Sequence, residues 1–88
     1  MEKRVLGTIS IMASNRQQSS AEMNQLLTAY GHHIVARLGV NVNRQCTEIC
    51  PGLIALALDT TRETMEELTA KLNVIADIKA TMVIMKEE

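Results

Sequence analysis

The chain contains two histidines, His32 and His33, and two cysteines, Cys46 and Cys50, which are residue types that bind zinc and late transition metals. The histidines are adjacent, and neighbouring side chains on an extended chain point apart, so they make a poor chelate. The cysteines have C-x3-C spacing, a weaker signal than paired C-x2-C motifs. These residues can form one metal site only if the fold brings the two pairs together.

The segment between the two pairs argues against such a site. Ile34 to Val40 (IVARLGV) has the composition of a strand, and its seven residues would separate the pairs by about 20 Å. A site shared between subunits, or Cys46 and Cys50 completed by Glu48, stays open as an alternative. Ordinary structural roles are favoured, because histidines after a helix can interact with its terminal carbonyls and dipole. We therefore predict no bound metal or other cofactor.

Hydrophobic patterning divides the remaining chain into strands and helices. Runs of β-branched and apolar residues predict four strands, Arg4–Met12, Ile34–Val40, Leu53–Leu58 and Ile78–Met85. Apolar residues at helical spacing predict two helices. Their stripes are Met23, Leu26, Leu27 and Tyr30 in the first helix, and Met65, Leu68 and Leu72 in the second.

Capping residues predict where the helices begin and end. Ser19 and Thr60 are each followed three residues later by a glutamate, the spacing of a capping box. Gly31 and Asn73 are predicted helix stops, because both residue types tolerate the left-handed conformation. A long turn is predicted from Asn41 to Gly52.

The resulting order, β-α-β-β-α-β, predicts an α+β ferredoxin-like sandwich. Two right-handed crossovers and a hairpin produce a four-stranded antiparallel sheet with both helices on one face. The 88 residues are the length of one small domain, so residues 1–88 are predicted to form a single unit.

The strands are apolar on both faces, which is unusual for a sheet covered by helices on one side only. In the third strand Leu53, Ala55 and Ala57 point one way, and Ile54, Leu56 and Leu58 point the other. A large exposed apolar patch is uncommon on a soluble monomer. The pattern therefore predicts a homodimer or higher oligomer assembled through the second face.

Composition excludes several classes of function. Ten acidic and nine basic residues give a net charge of -1 without a basic block, and Tyr30 is the single aromatic residue, which argues against direct DNA or RNA binding. No apolar run approaches the ~20 residues that span a bilayer. The apolar stretch near the amino end is broken by Gly7, Thr8 and Ser10, so we expect a cytoplasmic protein with free thiols.

A ligand site is predicted from Asn15, Arg16 and Arg37. Asn15 and Arg16 precede the first helix, where unpaired N–H groups favour anions, and Arg37 lies within an otherwise apolar strand. Some enzymes with this fold hydrolyse acyl phosphates by means of an arginine in the loop after the first strand. Here that loop is SNRQQS, which lacks the glycines that let backbone amides hold a phosphate. We therefore predict a binding domain without catalytic residues rather than an enzyme.

Four segments together resemble a known family: VLGTISIM, YGHHIVARLGV, LIALALDTT and ELTAKLNVIADIKA. They are similar to the small ACT-like regulators associated with iron-only hydrogenase systems and, more distantly, to the ligand-binding domain of nickel-responsive regulators. The most specific elements are the Gly31–Arg37–Gly39 spacing and the Lys71-Leu72 close of the second helix. The resemblance covers nearly the whole chain.

The resemblance implies a ferredoxin-like domain that dimerises through its sheet, with effector sites near subunit interfaces. Two departures from the family pattern bear on the ligand. Ser14 to Gln17 stands where amino-acid-binding ACT domains have an Asp-Arg-x-Gly type of loop, and the adjacent histidines do not match the spaced ligands of nickel regulators. The predicted function is a regulatory domain that binds a small ligand or a metal at a subunit interface and acts through a partner. The alternatives are a structural interaction module without a ligand and, less favoured, a small acyl-phosphate hydrolase.

Overall fold

The computed structural model describes residues 3–41 and 52–88, and within them the side chains other than those of residues 16–18, 40 and 41. The elements are β1 (Arg4–Ala13), α1 (Arg16–Ala29), a 3-10 turn (Gly31–His33), β2 (Ile34–Asn41), β3 (Gly52–Thr61), α2 (Arg62–Val74) and β4 (Ile78–Glu87). The predicted order of strands and helices is confirmed. Most of the predicted turn between β2 and β3, residues 42–51, lies outside the described residues.

The strands form one antiparallel sheet in the order β2-β3-β1-β4. β1 and β3 are central, and β2 and β4 are the two edges. This order is the one that a β-α-β-β-α-β chain forms when two crossovers flank a central hairpin. The ferredoxin-like prediction is confirmed.

One face of the sheet packs against both helices and forms the core. Along β1 and β3 buried and more exposed residues alternate, as the two-residue period of a strand requires. The apolar stripes of the helices join the buried strand residues in a single cluster that includes Ile9, Ile11, Met23, Leu27, Leu56, Leu58, Met65, Leu68 and Leu72. The helical stripes predicted from the sequence therefore face the sheet.

Both helices begin at a different residue from the predicted one. α1 starts a full turn earlier, with Asn15 as its N-cap, and the hydroxyl of Ser19 donates to the carbonyl oxygen of Asn15 inside the helix. α2 has Thr61 as its N-cap, where the hydroxyl accepts a hydrogen bond from the backbone N–H of Thr64. Thr60 is fully buried at the end of β3, so its side chain faces the core instead of capping the helix.

The predicted helix stops are also wrong in their mechanism. Gly31 does not have a positive φ, and the chain continues from α1 into the 3-10 turn. Asn73 lies inside α2, and within the described residues the one non-glycine residue with positive φ is Asp77, at 65°, just before β4. A short aspartate side chain tolerates this left-handed conformation, so Asp77 turns the chain into the last strand.

Asn73 instead joins α2 to β4. Its amide nitrogen donates to the carbonyl oxygen of Ala80 at 3.0 Å, and its Oδ1 accepts from the backbone N–H of Ala80 at 2.8 Å. The amide thus pairs with the strand as a neighbouring peptide group would. The two bonds hold the end of α2 against the edge of the sheet.

Replacing Asn73 by alanine is expected to lower the free energy of unfolding by about 1–2 kcal/mol, because both backbone groups of Ala80 lose a partner. Denaturant unfolding of Asn73→Ala measures the loss. Glu66→Ala, at an exposed position on the same helix, is the matched control and should change stability little. Equal stability of the two variants would show that the paired hydrogen bonds contribute nothing.

Candidate functional site

The two histidines lie at the junction of α1 and β2. Their rings pack against each other with centroids 4.0 Å apart, and the Nδ1 of His33 is 2.9 Å from the hydroxyl oxygen of Thr60. This contact ties the 3-10 turn to the buried end of β3. Cys46 and Cys50 lie outside the described residues, between the far end of β2 and the start of β3.

The structure gives no group of three or more metal-ligating side chains within residues 3–41 and 52–88. The histidines stand at the first end of β2, and the eight residues of that strand extend about 26 Å towards the segment that carries the cysteines. His33 has a structural partner in Thr60. A metal site shared between subunits or built on the two cysteines stays a prediction.

The environment of His33 lowers the pKa of its imidazole. Burial is the main cause, and the positive charges of His32 and Arg4 add to it. Because the unfolded chain keeps the ordinary histidine pKa of about 6.5, it takes up a proton at a higher pH than the folded chain. The contribution of neutral His33 to stability is therefore complete above about pH 6.5 and is lost as the pH falls through that value.

A His33→Gln variant tests this pH dependence. At pH 7.5 we expect its melting temperature to lie about 4–8 °C below that of the wild type, because one part-buried hydrogen bond to Thr60 is lost. At pH 5.5 the gap should narrow, because protonation has already weakened the wild type. Thermal unfolding of both proteins across this range measures the gap, and a constant gap would contradict the assignment.

Of the residues predicted to bind a ligand, Asn15 and Arg37 lie well apart. Asn15 follows the end of β1, where Ala13 is level with Gly52 and Asn41, whereas Arg37 is four residues further back along β2. That offset is about 13 Å along the strand and about 10 Å across two strands. Arg16 is the first residue of α1, and its side chain lies outside the described ones. A joint site of Asn15, Arg16 and Arg37 stays a prediction that would need an extended ligand.

Arg37 contacts the second half of α1. It lies opposite Leu56, on the helix-covered side of the sheet, and its guanidinium donates to the Oδ1 of Asn24 at 2.7 Å. A shallow groove of about 280 Å³ runs beside it, lined by Leu27, Thr28, Gly31, Ile34, Val35 and Ala36 as well as Arg37. The groove combines an apolar wall with one permanent positive charge, so it suits an anionic ligand with a small apolar body. The sequence pattern did not point to Asn24.

The face of the sheet opposite the helices, here called the open face, is largely apolar. Its large exposed side chains include Leu6, Met12, Leu38, Leu53, Val83 and Met85. Smaller residues stand between them, and a hollow of about 240 Å³ lies over Thr8, Ala36, Leu38, Ala55 and Ala57. The second apolar face expected from the sequence is therefore present, and it is the side of Ala55 and Ala57.

Charges on the open face stand at its ends. Arg4 and Asp59 form an ion pair of 3.2 Å at one end of the central strands, with Lys86 on the adjacent edge strand. Lys79 lies at the opposite end, level with Met12. An uncharged centre with a charged rim is the usual anatomy of a protein–protein interface.

No helix within residues 3–41 and 52–88 has the length and apolarity to cross a membrane.

Comparison with known proteins gives a family and a fold. A family model described as "TM1266-like: Iron-only hydrogenase system regulator, putative" matches residues 5–82. Among solved structures, the uncharacterized protein TM1266 from Thermotoga maritima is similar, with a TM-score of 0.83, 24% identity, and coverage of 94% of this chain and 99% of that chain. No curated protein matches the sequence.

Two more distant structures share the fold. An unknown protein from Galdieria sulphuraria has a TM-score of 0.71 and 7% identity, covering 94% of this chain and 51% of that one. A dinuclear metal-binding peptidase of the M20 family from Bacillus subtilis, YXEP, has a TM-score of 0.56 and 10% identity, over 92% of this chain and 26% of that one. At these identities the likeness concerns the fold alone.

Proposed function

Because the chain belongs to the TM1266-like family of iron-only hydrogenase system regulators, we propose that it is a cytoplasmic regulatory domain without catalytic activity. It binds a small ligand, assembles as a homodimer and passes the signal to a partner protein. The net charge of -1 and the single aromatic residue argue against direct DNA binding. They support regulation through a partner protein.

The observation that carries this proposal is the open face of the sheet. Exposed side chains such as Leu38 at 65% and Val83 at 49% would stay in water in a monomer. Burying apolar surface of this kind contributes about 25 cal/mol per Å². A second subunit that covers the face gives a small domain a second core, and it offers a ligand a means of changing the assembly.

The ligand of the proposal is a small organic anion, and Arg37 is its main recognition residue. The guanidinium donates a hydrogen bond to Asn24, and an arginine has five N–H donors in a planar fork that matches a carboxylate. Leu27 and Ile34 line the adjacent groove and would contact an apolar part of the ligand. Asn15 and Arg16, at the start of α1, are proposed as a second, separate contact for an anionic group.

A thermal-shift screen with amino acids, nucleotides, short organic acids and divalent metals tests ligand binding. A ligand at 100 times its Kd stabilises the folded state by about 2.7 kcal/mol, which raises the melting temperature of a domain of this size by about 10 °C or more. For an anionic stabiliser, Arg37→Ala should remove most of the shift. Arg62→Ala, at an exposed arginine that pairs with Glu87, is the matched control and should keep it.

The alternative function is an interaction module that binds a protein and no small ligand. It is favoured by the edge strand β2, whose residues from Val35 to Gly39 are all exposed. An edge strand can accept another chain through its outward backbone groups. A screen in which no compound or metal raises the melting temperature would reject the ligand-binding proposal in favour of this module.

A further inference from the structure

We propose that the second subunit lies face to face on the open face, with the two-fold axis parallel to the strands. In this arrangement β4 of each copy covers β2 of the other, and β1 covers β3. The inference rests on the self-association in the proposed function and adds the orientation of the partner. It follows from the register of the sheet, the distribution of side-chain sizes and the distribution of charges.

The register defines which residues can meet. Ala36 is level with Ala57, Ala57 with Thr8, and Thr8 with Val83, so these four side chains form one row across the open face. A two-fold axis parallel to the strands places each row of one copy opposite the same row of the partner. It also places the β2 edge of one copy opposite the β4 edge of the partner. Ala36 of one copy then faces Val83 of the partner. An axis perpendicular to the strands would instead place β2 on β2 and β4 on β4.

Side-chain size favours the parallel axis. The hollow lies over the β2 half of the open face, beside Leu38 and floored by Ala55 and Ala57, whereas the exposed Val83 side chain lies on the β4 half. Exchanging the edges places Val83 of each copy over the hollow of the other. Stacking β2 on β2 would set hollow against hollow and leave a void, which protein interfaces and cores avoid.

The charges at the ends of the open face favour the same axis. Lys79 is level with Met12, and Lys86 is level with Leu6, near the two ends of β4. A perpendicular axis through the middle of the sheet would bring Lys79 of each copy close to Lys86 of the other, and like charges placed opposite each other repel. The parallel axis separates these lysines.

The parallel axis also creates an attractive charge arrangement. Because β1 lies over the partner's β3, Arg4 of one copy comes near Asp59 of the other, while each already pairs with its own neighbour at 3.2 Å. Two arginines and two aspartates then alternate at one end of the interface. Complementary charges of this kind contribute chiefly to the specificity of the orientation.

The size of the open face is sufficient for a stable pair. Four strands about 4.8 Å apart, with about ten residues of 3.3 Å each, make a face of about 600 Å². Two such faces would bury about 1,200 Å² in total, which is at the lower end of specific protein–protein interfaces. Facing sheets pack about 10 Å apart with strands within about 30° of parallel, so residues of one row stay close across the interface.

Cross-linking between single-cysteine chains tests the orientation. The parent chain carries Cys46→Ser and Cys50→Ser, and Ala36→Cys or Val83→Cys is added to it in separate variants, one of which has a mass tag. Each variant by itself and the mixture of the two are then treated with a short bifunctional maleimide. The mixture should yield cross-linked dimer several-fold above either variant alone. Glu66→Cys, on the exposed surface of α2, is the control and should give only background.

The outcomes separate the orientation from self-association. Light scattering that shows a dimer, together with each variant cross-linking mainly to itself, would overturn the parallel axis and leave the homodimer standing. A dimer with no cross-link from either position would also overturn it, because the partner must then occupy another surface. A wild-type monomer would overturn both the orientation and the self-association.

A second pair of variants needs no cysteine replacement. Ala36→Lys and Val83→Glu should each weaken the homodimer, because each places a charge in an apolar interface. Their mixture should recover a heterodimer several-fold more stable than either homodimer, since the lysine and the glutamate face each other under the parallel axis. Analytical ultracentrifugation of the separate and mixed chains measures this recovery, and its absence with a dimeric wild type would overturn the orientation.

Discussion

An Ala57→Lys variant is expected to be a folded monomer of 9.7 kDa, whereas the proposed wild-type dimer has twice that mass. Ala57 lies in the hollow of the open face, so its side chain points away from the helices and a lysine there leaves the core intact. In the proposed dimer the same lysine would be an unpaired charge in an apolar interface. The cost, about 3 kcal/mol or more per site, weakens association by at least about 100-fold.

Light scattering gives the mass, and circular dichroism shows whether the variant is folded. The matched control is Leu56→Lys, one residue away, where the side chain is 1% exposed and faces the helices. That variant should fail to fold, because it places an unpaired charge in the core. A dimer that survives Ala57→Lys would exclude the open face as the interface.

Gly7→Val is expected to lower the free energy of unfolding by about 3 kcal/mol and the melting temperature by more than about 10 °C. A Cβ atom at Gly7 would lie 2.5 Å from the carbonyl oxygen of Val83 and 2.9 Å from the Cε of Met65. The methionine side chain can move, but the carbonyl belongs to the neighbouring strand. Gly7 also stands at the register shift between β1 and β4, where close backbone approach favours glycine.

The control for Gly7 is Gly31→Ala. A Cβ atom there meets nothing within 4 Å, and Gly31 does not adopt a positive φ, so this variant should be neutral or more stable by about 0.5 kcal/mol. Thermal and denaturant unfolding of both variants provide the comparison. If Gly7→Val proved as stable as Gly31→Ala, the close packing of β1, β4 and α2 at this point would be wrong.

The elements of the fold were predictable because their periodicity comes from burial. Leu68 and Leu72 had to share a helix face, and Ile9 and Ile11 had to share a strand face, whatever the details of the loops. The helix ends were less predictable, because several residues competed for the same role. The sequence favours Thr60 as the cap, because Glu63 follows it at capping-box spacing. In the structure Thr60 is buried and contacts His33, so Thr61 takes the capping position instead.

The candidate site residues stay a prediction, and the geometry around Arg37 could not be read from the sequence. Arg37 was singled out as an arginine that needs a partner or solvent, but its bond to Asn24 depends on how α1 crosses β2, which no local pattern encodes. The register shift between Ile34 and Ala36 adds to this, because an irregularity changes which side chains share a face. Long-range packing therefore places the residues that local patterns identify.

The paired hydrogen bonds of Asn73 make the two edges of the sheet chemically unequal. At β4 the amide of Asn73 occupies the outward backbone groups of Ala80, so an incoming strand finds them already taken. At β2, the residues from Val35 to Gly39 are exposed. Uncovered strand edges are the templates on which fibrils elongate. If this chain aggregates from its native state, growth should begin at β2 and proceed in one direction, away from the asparagine-capped edge.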